Sequence, residues 1–450
     1  MKQSAVTRQD LITSFIKKYD IDMPLLTKEN AENAIQELKR NLSNARSIPL
    51  RDTVALLDKC AHLWLNHEFS AKHVKMLSAI TNQGQELVRT ELDSIMKALL
   101  RENIEKLVRC ELGNPDVLDK WISAEYGSVR REPRGIVFHN ISGNAFIVPP
   151  VSIAMGLLSK NCNLVKVSKD EPYFAYAFAK SLYSIDPAVE KRLSVNYFDS
   201  SESEIYDTII KGCDCVLHWG GVESERFISS LCSKYRVKLV SHGAKISFEV
   251  IDELPSNPAQ ITDGVAADMI AWEQKACLSP RVLFINSKLD VDGFAQSLSN
   301  SLNTLTKSFP KEYSTAWNSM KSIQDRQLCI EKYGLASGVK IYSSYNADYS
   351  VLQINRMPEK EDVDRCFYRF IFVCPYHDSH EVEDWIRTNI QPYLQTMGYS
   401  GTNKEFLDNM AAMGVTAITK PGKMSLHEPG TSHDGYSNLT ELTYAVSNQK

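Results

Sequence analysis

The chain has 450 residues, of which 43% are hydrophobic and 24% charged, with a formal net charge of -4 at pH 7. These proportions are ordinary for a globular protein of two or three domains. Without a basic run or a basic excess, they argue against nucleic-acid binding through a positive face. The N-terminal MKQSAVTRQD lacks the apolar core of a signal peptide, and prolines and a glycine interrupt the apolar stretch 146–158. We therefore expect a cytoplasmic protein without a membrane span.

Ten cysteines are scattered along the chain, and none forms a C-x-x-C pair. This spacing gives no indication of a metal site or a redox motif. In the cytoplasm the thiols would be reduced, so one of them could act as a nucleophile while the others fill the core.

The N-terminal 125 residues read as helical, because apolar residues recur at three- and four-residue spacing in 28–45, 52–66 and 71–108. After residue 135, short apolar runs of strand length alternate with helical stretches. This alternation is typical of βαβ units and predicts an α/β fold with two doubly wound parallel-sheet domains behind a helical N-terminal region. The predicted strands are 135–141, 163–168, 194–198, 213–219 and 237–241, followed by 246–251, 281–286, 338–342, 368–374 and 415–419.

Pro255 and Pro258 mark the predicted domain boundary. The first unit spans 1–252, with its core at 135–252. The second spans 253–435, and 436–450 forms a C-terminal segment that is a candidate interface. Residues 420–436 are rich in Gly, Pro, Ser and His, which favours a loop that lines a site.

Two of four short motifs combine a strand end with a polar or glycine turn. In ISGNAF, Asn144 stands just before a helix and could donate a hydrogen bond into a cleft, although an Asn after Gly is as often a turn or cap. In HWGG, Gly220 and Gly221 would let backbone N–H groups approach a phosphate, although a plain glycine turn is as common.

The other two motifs carry a histidine and a cysteine. His242 in SHGAK could act as an acid, a base or a donor, or be a hydrogen-bonded structural histidine. Cys277 in WEQKACLSP lies in a polar turn beside Lys275, whose charge would favour the thiolate. Taken alone, Cys277 could equally be a small buried residue.

In this order the four motifs resemble the aldehyde dehydrogenase superfamily over about residues 131–286. Within it, VFHNISGNAF, CNLVKVSKDEP, HWGG, QKACLSPR and the C-terminal His433-Asp434-Gly435 resemble the LuxC-type acyl-CoA reductases, the fatty-acid reductase subunit of bacterial luminescence. The resemblance implies an aldehyde-dehydrogenase-like fold. It also implies catalytic roles for Cys277 and Asn144, the latter in an oxyanion hole with the backbone N–H of Cys277.

The resemblance also implies a nicotinamide cofactor, NADPH by preference. Its contacts would come from Ser142, Lys166, Ser168, Gly220, Gly221 and Gly243, with Lys166 and Lys169 as candidates for the 2′-phosphate. His242 and His433 are further candidates for the site. Ser241 stands where the superfamily has the glutamate that activates water in its acid-producing members. A carboxylate that activates water would destroy an acyl-enzyme, so its replacement favours a reductase.

The implied reaction is acyl transfer to Cys277 followed by reduction to an aldehyde, that is, a long-chain acyl-CoA or acyl-protein thioester reductase. Its partners would be an acyl-CoA or acyl-protein donor, an acyl-protein synthetase and a thioesterase, and a second copy of the chain in a homo-oligomer. One alternative is a CoA-acylating aldehyde dehydrogenase that oxidises a short aldehyde. Another is an inert scaffold that keeps the fold; the presence of both Cys277 and Asn144 argues against it.

Overall fold

The computed structural model describes residues 21–311, 316–344, 348–425 and 428–449. The first twenty residues of the predicted N-terminal unit, residues 426 and 427 of the predicted loop, and the last residue lie outside this part. Among the described residues, no helix combines the length and the apolar character needed to cross a membrane.

The N-terminal region is helical, as predicted. The predicted segment 71–108 is broken by Asn82, which ends one helix in a left-handed conformation (φ 60°). Gly84 starts the next helix where a Cβ would lie 2.7 Å from the carbonyl oxygen of Pro310. The helices are α1 (Lys28–Arg40), α2 (Leu42–Ser47), α3 (Leu50–Leu65), α4 (His67–Thr81), α5 (Gln85–Ala98) and α6 (Arg101–Leu112).

A short hairpin, β1 (Ile122–Ala124) and β2 (Gly127–Pro133), leads into the first sheet. All five strands predicted for this sheet are present. They are parallel in the order β5-β4-β3-β6-β7, and every residue of β3, β4 and β6 is buried, as expected for a sheet covered on both faces. The elements are β3 (Ile136–Asn140), α7 (Val148–Leu158), β4 (Cys162–Lys166), α8 (Tyr173–Ile185), β5 (Leu193–Asn196), α9 (Ser203–Gly212), β6 (Cys215–Trp219), α10 (Val222–Tyr235) and β7 (Lys238–His242).

The second sheet has seven strands in the order β10-β11-β12-β9-β8-β13-β14, of which only β10 pairs in an antiparallel sense. Its elements are β8 (Ile246–Ile251), α11 (Ala259–Ile270), β9 (Pro280–Asn286), α12 (Val291–Ser308), α13 (Ala316–Tyr333), β10 (Lys340–Ser343), β11 (Ser350–Gln353), α14 (Lys360–Val363), β12 (Phe370–Tyr376), α15 (Ser379–Asn389), β13 (Leu394–Ser400), α16 (Lys404–Met413) and β14 (Ala417–Thr419).

The predicted boundary at 252/253 was wrong by one strand. β8 pairs with β9 and β13, so it belongs to the second sheet, and the chain passes between the sheets from His242 to Ile246. Pro255 and Pro258 instead mark the loop between β8 and α11. A proline-rich loop shows where regular structure stops, but it does not show which sheet the preceding strand joins.

The chain ends with α17 (Asn438–Glu441) and β15 (Thr443–Gln449). β15 pairs antiparallel with β2 along seven residues, giving a separate three-stranded sheet in the order β1-β2-β15. The C-terminal segment therefore packs back on the start of the first domain, and β15 forms one edge of this small sheet.

Candidate active site

A cavity of about 670 Å³ lies between the two sheet domains, where the carboxyl ends of the first sheet's strands face the second domain. It gathers nearly all of the predicted site residues: Ser142, Asn144, Lys166, Ser168, Gly220, Gly221, His242, Gly243, Cys277 and His433. Lys169 is the exception, since it is exposed and does not line the cavity. We call this space the interdomain cleft.

The glycines of the cleft stand where a side chain would collide. A Cβ at Gly220 would lie 2.7 Å from the ring of His218, and one at Gly243 would lie 2.5 Å from a carboxylate oxygen of Glu225. Gly221 is different, because a Cβ there would meet no described atom within 4 Å. It is the N-cap residue just before α10, so its surroundings leave open the space at a helix N-terminus, which suits a phosphate group.

Lys166 is 6% exposed at the end of β4 and lies against two aromatic rings. Its Nζ is 5.6 Å from the centre of the Phe198 ring and 5.9 Å from that of Tyr206. Burial lowers the pKa of Lys166 to about 8, with Asp199 acting in the opposite direction. Lys166 therefore offers the cleft a desolvated amine.

Asn144 bridges the two domains beside the cysteine turn. Its Nδ2 donates to the backbone oxygen of Lys275 at 3.0 Å, and its Oδ1 accepts from Ser142 at 2.7 Å. The side chain is exposed towards the cleft. One of its two amide hydrogens thus ties it to the turn that carries Cys277, which leaves the other hydrogen for a ligand.

Cys277 is one of two cysteines that reach solvent. All ten cysteines lie in the described part of the chain; eight are buried, Cys277 is half-buried and Cys110 is exposed. Burial and the nearby Asp434 carboxylate raise the pKa of Cys277 to about 11. The predicted help from Lys275 is not seen, because its ammonium donates to the carbonyl oxygen of Thr81 at 3.0 Å.

Residues that the sequence analysis missed surround the sulfur. Gln395 on β13 donates to Sγ of Cys277 at 3.3 Å and to Oδ1 of Asp434 at 2.5 Å. Asp434 was noted only as part of a motif. Its Oδ2 lies 2.7 Å from Nδ1 of His242. Burial disfavours its charge, but His242 and His433 outweigh that effect and hold the pKa of Asp434 at about 2.

His242, His433 and Asp434 place ligand atoms within 4.8 Å of one another, which is the grouping a divalent ion would need. Both ring nitrogens of His242 are already used, however. Nδ1 faces Asp434, and Nε2 lies 3.1 Å from Oδ1 of Asn438. We therefore assign His242 and Asp434 to a hydrogen-bond network, with the ring of His433 packed against that of His242 at 5.0 Å between ring centres.

Ser241, which the resemblance places where a glutamate would be expected, donates to Glu225 at 2.6 Å. Asp434 nevertheless brings a different carboxylate close to the thiol. With a pKa of about 2 and both oxygens engaged, it is a weak base for activating water.

The backbone just before Cys277 is strained. Trp272, Glu273 and Gln274 have φ values of 58°, 50° and 60°, a left-handed run that costs of order 1–3 kcal/mol per residue. Arg369 fixes the run through a bidentate ion pair with Glu273, and both side chains are at most 1% exposed.

Two further side chains fix the same turn. The side chain of Gln274 donates to the carbonyl oxygens of Pro280 and Phe370, and it accepts from the Phe370 N–H at 2.8 Å. Glu91 on α5 accepts from the backbone N–H of Trp272 at 2.6 Å. The N-terminal helical region therefore helps to position the cysteine turn.

A second cavity, of about 440 Å³, opens on the other side of Cys277. We call it the apolar channel, because most of its wall consists of hydrophobic side chains from α5, α6, α7 and the cysteine turn. These are Ile95, Leu99, Ile104, Leu107, Ile147, Val148, Val151, Met155, Leu158 and Leu278. The channel and the interdomain cleft share Asn144, Val148, Trp219, Cys277 and His433.

Two parallel-sheet domains with a cleft between them define the aldehyde dehydrogenase fold, and solved structures agree. An oxidoreductase from Marinobacter aquaeolei superposes with a TM-score of 0.75 at 14% identity, covering 94% of this chain and 90% of that chain. A glyceraldehyde-3-phosphate dehydrogenase from Methanocaldococcus jannaschii, solved with NADP, gives 0.70 at 12% identity, covering 94% of each chain.

The chain belongs to the acyl-CoA reductase (LuxC) family, whose model matches residues 45–445. It is 24% identical over 396 residues to the long-chain acyl-protein thioester reductase of Vibrio harveyi, covering 86% of this chain and 80% of that protein. It is 25% identical over 417 residues to the protein of the same name from Aliivibrio fischeri, covering 91% and 84%. The sequence-based family assignment is confirmed.

The ion pair beneath the cysteine turn gives a test of stability. Arg369→Met would leave Glu273 charged and unpaired in the interior, so we expect a loss of about 3–5 kcal/mol in the free energy of unfolding. Arg387→Met is the matched control, because Arg387 pairs with Asp384 at the surface and should change stability by less than about 1 kcal/mol. Urea denaturation of both variants measures the difference. Equal losses would contradict the role of the buried pair.

Proposed function

We propose that this protein reduces a long-chain acyl thioester to an aldehyde with NADPH, through an acyl group held on Cys277. The observation that carries the proposal is that Cys277 stands where the interdomain cleft meets the apolar channel. If a thioester carbonyl were held there, its hydrocarbon chain would lie in the apolar channel and a cofactor would lie in the interdomain cleft. The relatives from Vibrio harveyi and Aliivibrio fischeri are named long-chain acyl-protein thioester reductases, which supports the same chemistry.

The channel suits a fatty acyl chain in length as well as in character. Its wall follows one face of α7, from Val148 beside Cys277 to Leu158. Ten residues of α-helix rise about 15 Å. An extended chain advances roughly 1.2 Å per bond, so this length holds about twelve carbon–carbon bonds. A medium to long acyl chain would fill the channel, whereas a short aldehyde would leave most of it empty.

The residues of the cleft fit a dinucleotide cofactor. Gly221 leaves open the space at the start of α10 for a phosphate, and Ser142, Ser168, Gly220 and Gly243 shape the surrounding wall. Lys166 would face the 2′-phosphate of NADPH. When bound, the nicotinamide would supply the hydride.

The protein's own groups would do the remaining work. The sulfur of Cys277 would attack the acyl carbonyl, the carbon–sulfur bond to the donor would break, and the donor would leave as a thiol with the proton that Cys277 loses. The acyl group would then be held on Cys277 as a thioester. The side-chain amide of Asn144 and the backbone N–H of Cys277 would stabilise the oxyanion at that carbon. Loss of one such donor typically lowers the rate by roughly 10²–10³. Collapse of the thiohemiacetal would release the aldehyde and regenerate Cys277.

The acyl donor would be acyl-CoA or an acyl-protein, the latter loaded by a synthetase with its fatty acid supplied by a thioesterase. We also propose a homo-oligomer in which a second copy pairs along the edge strand β15, beside the exposed side chain of Tyr444.

Acyl transfer can be read directly as mass. We expect wild-type protein to gain one acyl group from a long-chain acyl-CoA and to lose it as aldehyde when NADPH is added. Cys277→Ala should gain none. Cys110→Ala removes the other solvent-accessible thiol and should behave as wild type. Acylation of Cys277→Ala would disprove the assignment of the nucleophile.

The channel can be blocked without touching the nucleophile. Val151→Trp places a large ring on the α7 face that lines the channel. We expect kcat/KM for a long-chain acyl-CoA to fall at least tenfold, while that for acetyl-CoA changes less than about twofold. Similar losses on both substrates would show that the chain binds elsewhere.

The two lysine candidates differ in position, so their variants should differ in effect. Lys166→Met should raise KM for NADPH at least tenfold more than KM for NADH, because only NADPH carries the 2′-phosphate. Lys169→Met should change neither value, since Lys169 lies outside the cleft wall. The reverse result would assign the phosphate to Lys169.

A further inference from the structure

The amide of Gln395 links the sulfur to a buried carboxylate. Gln395 is 1% exposed on β13, and its Nε2 donates at 3.3 Å to Sγ of Cys277 and at 2.5 Å to Oδ1 of Asp434. A side-chain amide has two N–H hydrogens, so it can serve both acceptors at once. The contact with Asp434 therefore ensures that the amide nitrogen of Gln395, and not its oxygen, faces the sulfur.

The second carboxylate oxygen of Asp434 is held by His242. Its Oδ2 lies 2.7 Å from Nδ1 of His242, whose ring stacks on Trp219 with centres 3.9 Å apart and an angle of 18° between planes. Nε2 of His242 contacts Asn438 at 3.1 Å. A stacked ring fixed at both nitrogens gives the carboxylate, and through it the amide, one orientation.

We propose that Gln395 is a positioning residue for the nucleophile: its N–H donates to the Cys277 sulfur, and the carboxylate of Asp434 orients that N–H while opposing negative charge on the sulfur. The inference rests on the proposed role of Cys277 and names the residues that govern its ionisation. It gives Gln395 and Asp434 opposite effects on the same thiol.

The other charges near the sulfur are accounted for. Arg281 on β9 favours the thiolate, but it also lies 3.7 Å from Asp364. Lys275 donates to a backbone oxygen, and Lys245 acts with the two histidines on Asp434. Burial and Asp434 together leave the pKa of Cys277 at about 11, so the resting side chain is a protonated thiol.

A protonated resting thiol suits acyl transfer from a thioester. The S–H bond of Cys277 and the carbon–sulfur bond of the donor break, while a new carbon–sulfur bond to Cys277 forms. The departing donor thiolate takes up the proton that Cys277 releases. The step therefore balances without a proton from solvent, and the Gln395 N–H stabilises the sulfur while its proton is away.

Alkylation by iodoacetamide measures the thiolate without acyl donor or cofactor. Rates for Cys277 would be followed by peptide mass spectrometry between pH 6 and 10, with Cys110 in the same molecules as internal reference. We expect Gln395→Met to slow alkylation of Cys277 about tenfold at pH 8, and Asp434→Asn to speed it about tenfold. A tenfold change corresponds to one pKa unit while the thiol predominates. The Cys110 rate should not change.

Opposite changes in the alkylation rate of Cys277 would support the proposal, because a general loosening of the site would speed alkylation in both variants. Unchanged rates in Gln395→Met, or equal shifts in both variants, would overturn it. If Asp434→Asn fails to fold, Gln395→Glu replaces it: an added negative charge should slow alkylation more than Gln395→Met does, and a faster rate would overturn the proposal. If alkylation follows these expectations but no acyl adduct forms, the proposed function fails, while the opposite effects of Gln395 and Asp434 on the ionisation of Cys277 stand.

Discussion

The buried ion pair between Arg369 and Glu273 is the interaction on which the site depends. Three successive left-handed residues would not persist in isolation, because each opposes the ordinary preference of its backbone. The ion pair, the three hydrogen bonds of the Gln274 side chain and the carboxyl of Glu91 compensate for that strain. These contacts come from the second sheet domain and from α5. The position of Cys277 therefore depends on the correct packing of both.

The fold was largely predictable where one face or both faces of an element are uniformly apolar. Three strands of the first sheet, β3, β4 and β6, are continuous buried runs, and all five strands of that sheet were found. β13 was missed because its sequence, LQTMGYS, carries Gln395, Thr396 and Gly398 inside the protein. Those residues are tolerated there because partners distant in sequence meet them: Gln395 contacts Asp434, and Gly398 leaves room for the side chain of Glu249. A local sequence pattern contains no information about partners that are distant in sequence.

The same limit separates the site residues that were predicted from those that were not. Asn144, Gly220, His242 and Cys277 lie in short motifs whose order along the chain could be compared with known families. Gln395 reaches Cys277 across 118 residues of sequence, and Glu91 reaches Trp272 across 181. Neither stands in a recognisable motif. The expected influence of Lys275 on the thiol was wrong for a related reason, because adjacency in sequence did not fix where its ammonium would point.

The meeting of the channel and the cleft at a handful of residues has a kinetic consequence. If an acyl chain occupies the channel and a dinucleotide the cleft, each has its own path to solvent. The aldehyde and the oxidised cofactor would then leave independently, and neither would need to wait for the other. The architecture itself imposes no order on the departure of these two products, so any order between them in steady-state kinetics would arise from their relative rates of escape.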